Sequence, residues 1–112
     1  ELSGKRLLTN GEWVAAATGT ADTDTDNGTT DCNTNAPGAG VNAPVNTGSR
    51  SGCVSTAGIS DAIGNVYEWT TGGFGTTWLR GGYWLDGASA GVSLALQGNP
   101  DYQSGVGFRC GR

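Results

Sequence analysis

A chain of 112 residues with 21 glycines and 36 % apolar content has room for one domain and one compact core. That much glycine excludes long helices or a broad sheet, and the core has to come largely from aromatic side chains, each removing roughly 150–250 Å² from water when buried. The net charge of −4 is concentrated at Asp22, Asp24, Asp26 and Asp31; the rest is close to neutral, with no basic stripe for nucleic acid and no apolar run long enough to insert in a membrane.

In chain order, Thr9 followed three residues later by Glu12 forms a capping box ahead of Trp13-Val14-Ala15-Ala16-Ala17, and Gly19 stops the run. A short helix over about residues 10–17 is expected, with Trp13 as a core anchor. Residues 18–58 carry no apolar periodicity, and Pro37 and Pro44 forbid regular structure nearby. So long a stretch without secondary structure needs a tie. One tie is a disulfide between Cys32 and Cys53, which would close a loop of about 20 residues and contribute on the order of 3 kcal/mol through the unfolded chain. The other is a cation on the alternating Asp22, Asp24 and Asp26. An EF-hand is not expected there, because Asn27 stands where Gly is required and Asn33 where the loop's closing Glu belongs. A solvated acidic loop is expected instead. Cys32 and Cys53 alone share a segment lacking other means of order, so they are expected to be bonded and Cys110 free, as a small buried thiol.

Beyond Gly64-Asn65, which read as a tight turn, Val66, Glu68 and Thr70 alternate with Tyr67, Trp69 and Thr71 as a strand does. After a glycine loop at 72–75, Trp78-Leu79-Arg80 reads as a second strand; Val92 to Leu96 and Val106 to Cys110 supply two more. The last third has firm ends, Arg80-Gly81-Gly82 with Trp84 and Gly107-Phe108-Arg109, around residues of no consistent chemistry. It has no His, no Lys and two carboxylates far apart in sequence. A catalytic site needs one organised cluster of titratable groups, so binding is the expected role. The chain begins at Glu1 and contains no Met, which reads as a fragment or processed product.

Four motifs, GKRLLTNGEW (4–13), DAIGNVYEWT (61–70), LRGGYW (79–84) and GFRCGR (107–112), resemble in this order the markers of the formylglycine-generating-enzyme-like branch of the C-type lectin fold. Leu8 stands where that family usually has Pro, and Asn10-Gly11 replaces helix formers. The resemblance implies one α+β domain over residues 1–112, with a small twisted, mostly antiparallel sheet, one or two short helices and long loops. Within the branch, RGGYWLDGASAGV (80–92) and VGFRC (106–110) look most like the variable proteins of diversity-generating retroelements, whose template adenines are mutated during copying. That resemblance makes about 80–109 the variable region and implies a ligand-contacting face of Tyr83, Leu85, Asp86, Ser89, Ser93, Asp101, Tyr102 and Ser104. Gln97 and Gln103 fit less well, because changing an asparagine codon only at its adenines does not yield Gln.

The segment DAIGNVYE also resembles the calcium site of the family's enzymes. This implies a side-chain oxygen from Asp61, the carbonyls of Gly64 and Val66, and the Glu68 carboxylate as ligands of a structural calcium; the alternative is that Glu68 pairs with Arg80 or Arg109. The enzyme reading, a formylglycine-forming oxidase, needs redox cysteines after the RGG motif, and residues 83–106 contain none. The sugar-binding lectin signatures EPN or QPD with WND are also missing. The expectation is therefore a non-catalytic, monomeric module recognising a protein or cell-surface ligand, with an accessory domain lacking its own ligand, or a carbohydrate-binding lectin, as the alternative. A disulfide favours an extracytoplasmic, cell-surface or virus-particle location. Trp13, Trp69, Trp84 and Phe108 are expected to be largely buried, and Tyr83, Leu85 and Tyr102 to be solvent-accessible.

Overall fold

The computed structural model describes residues 4–21, 25–36, 40–72, 76–97 and 106–111. Asp22, Asp24, Asp101, Tyr102 and Ser104 lie outside them. The chain opens with β1 (Arg6–Leu7) and α1 (Asn10–Ala17). Thr9 caps α1: its side chain accepts from the Glu12 amide at 3.2 Å while Glu12 Oε1 accepts from the Thr9 amide at 2.9 Å. The helix therefore has the boundaries expected from its capping box and its Ala-rich run.

Four further strands follow the long central segment, with a 3₁₀ turn at Gly87–Ser89. They are β2 (Tyr67–Thr71), β3 (Thr77–Gly81), β4 (Gly91–Gln97) and β5 (Val106–Phe108), arranged β4-β3-β2-β5. The β4-β3 and β3-β2 pairs are antiparallel and β2-β5 is parallel. A last strand, β6 (Cys110–Gly111), pairs with β1 and brings the two ends of the described chain together. Among the described residues, one short helix with two sheets makes an α+β architecture.

Register decides which side chains meet. Glu68 lies opposite Arg80 on the β2-β3 ladder, so both project to one face. That face is the one α1 covers: Trp13 donates to Glu68, and Thr70 donates its hydroxyl to Asn10 Oδ1 at 2.6 Å. Arg80 lies over the Trp13 ring, 5.0 Å from its centroid. One apolar cluster joins Trp13, Ala17 and Ala62, a second joins Cys32, Cys53, Ile63 and Ala90, and Val92 packs against both.

The central segment forms no helix or ladder strand among its described residues. The expected Cys32–Cys53 disulfide is present, with Cα atoms 4.8 Å apart. Further order comes from groups not anticipated as ties. Asp26 is 1 % exposed and bonded to Arg50 at 2.7 Å, which corrects the expectation of a solvated acidic loop at this residue. Its carboxylate also accepts from the amides of Gly28, Thr34 and Asn35. Such a buried charge is tolerated only with this degree of pairing. The Asn33 and Asn65 side chains bond to each other at 3.2 Å, and both also reach the 43–45 backbone.

Trp13 is buried and Trp69 and Trp84 are mostly so, but two expectations about burial are corrected. Phe108 is 66 % exposed, because β5 is only three residues long and forms an edge of the sheet. Cys110 is free, as expected, but exposed; its strand lies outside the four-stranded sheet and pairs with β1.

Candidate functional site

The DAIGNVYE segment turns sharply because Asp61, Gly64 and Asn65 all adopt positive φ, of 57°, 71° and 65°. Gly64 needs its missing side chain, since a Cβ there would stand 2.5 Å from the Asn33 carbonyl oxygen. Its amide donates to the Gly81 carbonyl at 3.1 Å, and the Asn65 carbonyl accepts from the Trp84 amide at 3.2 Å. The turn is thereby fastened to the RGGYW segment.

Asp61 and Glu68 both line a cavity of about 360 Å³, together with Thr47, Asn65, Val66, Gly107, Phe108 and Arg109. Three of the four residues expected around calcium are in this wall. The fourth, Gly64, is buried one position before Asn65. Asp61 is 4 % exposed; Oδ2 accepts from the Gly48 amide at 2.8 Å, and Oδ1 is buried without a hydrogen-bond partner. Leaving such an oxygen unmatched is costly, so the site has an unmet demand for a donor or a cation.

Glu68 is placed differently. Oε2 accepts from the Trp13 indole at 2.6 Å, and Arg109 Nε lies 2.8 and 2.9 Å from the two carboxylate oxygens. Arg109 Nη2 is 2.8 Å from Oε1 and also donates to the Ser60 carbonyl. Of the two pairings open to Glu68, the one formed is therefore with Arg109. Burial pushes the Glu68 carboxyl above the usual carboxylate range and the charge of Asp61 adds to this, while Arg109 and Trp13 oppose it without cancelling it.

Among the described residues no three Asp, Glu or Cys side chains converge as a metal cluster. An ion here would rest on two carboxylates supplemented by backbone oxygens, a donor set that suits a hard cation of loose geometry. The unmatched oxygen of Asp61 fits that requirement.

The expected display face is built on a fastened backbone. The Tyr83 amide donates to Asp86 Oδ2 at 3.0 Å, and the Gly87 amide to the Thr34 carbonyl at 2.7 Å. Gly81 carries φ +87° and Gly82 φ +90°; a Cβ would lie 2.2 Å from the Ala62 carbonyl oxygen at the first and 2.7 Å from the Ala90 Cβ at the second, which accounts for the paired glycines. On this frame Leu85 is 49 % exposed, and Ser89 and Ser93 are exposed. Tyr83 is only half-buried and is not free: it stacks on Tyr67 at 5.2 Å and meets the Trp84 ring edgewise at 5.1 Å. Asp86 is committed to the turn.

Arg50, Asp26, Asn33 and Asn65 were missed as organising residues. A signal existed for the first, which is the one basic residue between Arg6 and Arg80. A lone cation in a long stretch rich in acids and amides has few other partners.

A small α+β domain with a capped helix laid across a carboxylate-bearing strand, and a glycine-fastened surface loop beyond it, is the class defined by these features. The sulfatase-modifying factor enzyme 1-like domain family matches residues 1–112, and the chain belongs to that family. A search of curated proteins found no match.

Proposed function

We propose that this chain is a non-catalytic ligand-binding module of C-type lectin fold whose C-terminal third, about 80–109, displays a diversified surface to a protein or other macromolecular ligand outside the cytoplasm. The observation carrying this reading is the contrast at 80–93. The backbone is tied through the Trp84 and Gly87 amides to two different parts of the framework, Asn65 and Thr34, and is closed within the segment by the Tyr83 amide on Asp86, while Leu85, Ser89 and Ser93 face solvent. The side chains of Leu85, Ser89 and Ser93 can vary without disturbing the core, as a display surface requires. Sequencing the coding segment and its flanks tests this. A near-identical copy of codons 80–109 differing only at adenines is expected; its absence, with a segment as invariant as residues 1–79, favours an accessory domain instead.

A second reading is favoured by the unmatched Asp61 oxygen: a structural calcium held by Asp61, Gly64, Val66 and Glu68. Bound there, the ion would supply positive charge to a buried carboxylate pair. Calcium added to chelator-treated protein is expected to raise the Tm, and Asp61→Ala to abolish the gain. No shift at millimolar calcium would retire the site.

A further inference from the structure

We propose that Arg109 is a built-in competitor for the calcium site, an internal cation that occupies the Glu68 carboxylate and sets how tightly an external one can bind. The inference rests on the calcium reading above and concerns what this chain's own residues do to that ion.

The geometry is specific. Arg109 touches both oxygens of Glu68 and hydrogen-bonds to the Ser60 carbonyl, next in the chain to Asp61. Trp13 takes a further position on Oε2. Glu68 is thus engaged on both oxygens, whereas Asp61 keeps Oδ1 free, and both residues line one cavity with Arg109. An ion drawn to Asp61 would meet a Glu68 already neutralised, with a guanidinium in the same wall. Like charges at such a distance repel strongly where water is scarce. For Glu68 to act as a ligand, Arg109 has to give up at least one of its contacts.

Removing the guanidinium should therefore strengthen metal binding, opposite to the usual effect of deleting a group that orders a site. Arg109 also links β5 to β6 at the end of the display segment, so its release would carry the ion's arrival to that strand.

The test is calcium titration of the chelator-treated, disulfide-intact full chain by calorimetry, comparing the parent with Arg109→Gln and Arg109→Lys. Arg109→Gln is expected to bind calcium at least about tenfold more tightly than the parent. Arg109→Lys keeps the charge without the fork and should fall between them. If Arg109→Gln is unfolded without calcium, the Arg109 resonance of the parent decides the competition. A variant-independent readout is the Arg109 Nε–H resonance of the parent, expected to shift with the same half-saturation as calcium binding. An unperturbed resonance while calcium binds, or equal or weaker affinity in a folded Arg109→Gln, overturns the competition and leaves the calcium reading standing. Absence of binding in parent and folded variants alike overturns both.

Discussion

The Trp13 indole donates to Glu68 Oε2 at 2.6 Å across 55 positions of sequence. This contact joins the first helix to the second strand and places a hydrogen-bond donor against a carboxylate that burial would otherwise leave costly. Trp13 thus acts both as core volume and as an electrostatic partner.

Trp13→Phe keeps most of the volume and removes the donor. It is expected to reduce stability by about 1.5–3 kcal/mol, as loss of a hydrogen bond to a charged group does, whereas Trp13→Ala should cost about 3–5 kcal/mol through the added cavity. Urea unfolding curves for the two variants check this. Equal losses would remove the electrostatic role.

Breaking the buried Asp26–Arg50 pair should matter more than breaking an exposed one. Asp26→Asn is expected to cost about 3–5 kcal/mol at neutral pH because it leaves Arg50 buried without its counter-charge. Burial by itself would raise the Asp26 carboxyl, but Arg50 and the amides of Asn35 and Gly28 outweigh it and hold it below the ordinary 3.8. Glu12 is likewise held at about 2, from an ordinary 4.5, chiefly by its hydrogen bond to Arg6. A lowered carboxyl contributes stability that is complete above its unfolded value and lost as pH falls through its folded one. The Tm should therefore fall as pH drops below the ordinary carboxylate range toward about 2, and the gap between parent and Asp26→Asn should narrow over that acid limb. A gap independent of pH would argue against the pair.

The disulfide closes a sequence separation of 21 residues in a segment with little regular structure. Replacing Cys32 and Cys53 with Ser is expected to cost about 3 kcal/mol. Alkylation of unreduced, unfolded protein followed by mass spectrometry should find one reactive thiol, Cys110. In folded protein that thiol should react readily, given its exposure.

Leu85 and Tyr83 are expected to separate. Leu85→Ser should change stability by less than about 0.5 kcal/mol, since the side chain is exposed. Tyr83→Ala should cost about 1 kcal/mol or more, because it loses its aromatic pairing with Tyr67 and Trp84. Thermal unfolding of the two variants side by side decides this. If Tyr83→Ala were as neutral as Leu85→Ser, Tyr83 would belong with the display residues after all.

Much of the architecture was legible locally. The capping box at Thr9 and Glu12 and the Ala run set α1; alternation around Glu68 and the glycine pairs set β2, β3 and their turns. The long segment without apolar periodicity contained the two cysteines that bond. These are statements about neighbours a few residues apart, where spacing along the chain already determines spacing in space. Tertiary structure decided the rest. Asp26 meets Arg50 across 24 positions and Glu68 meets Arg109 across 41; such pairings depend on how loops close, and no local pattern specifies which carboxylate receives which cation. Phe108 has the hydrophobicity of a core residue, yet a three-residue edge strand turns it to solvent beside the cavity. The unmatched oxygen of Asp61 also arises from the fold, because burial, the Gly48 amide and the position of Arg109 together determine which carboxylate is satisfied.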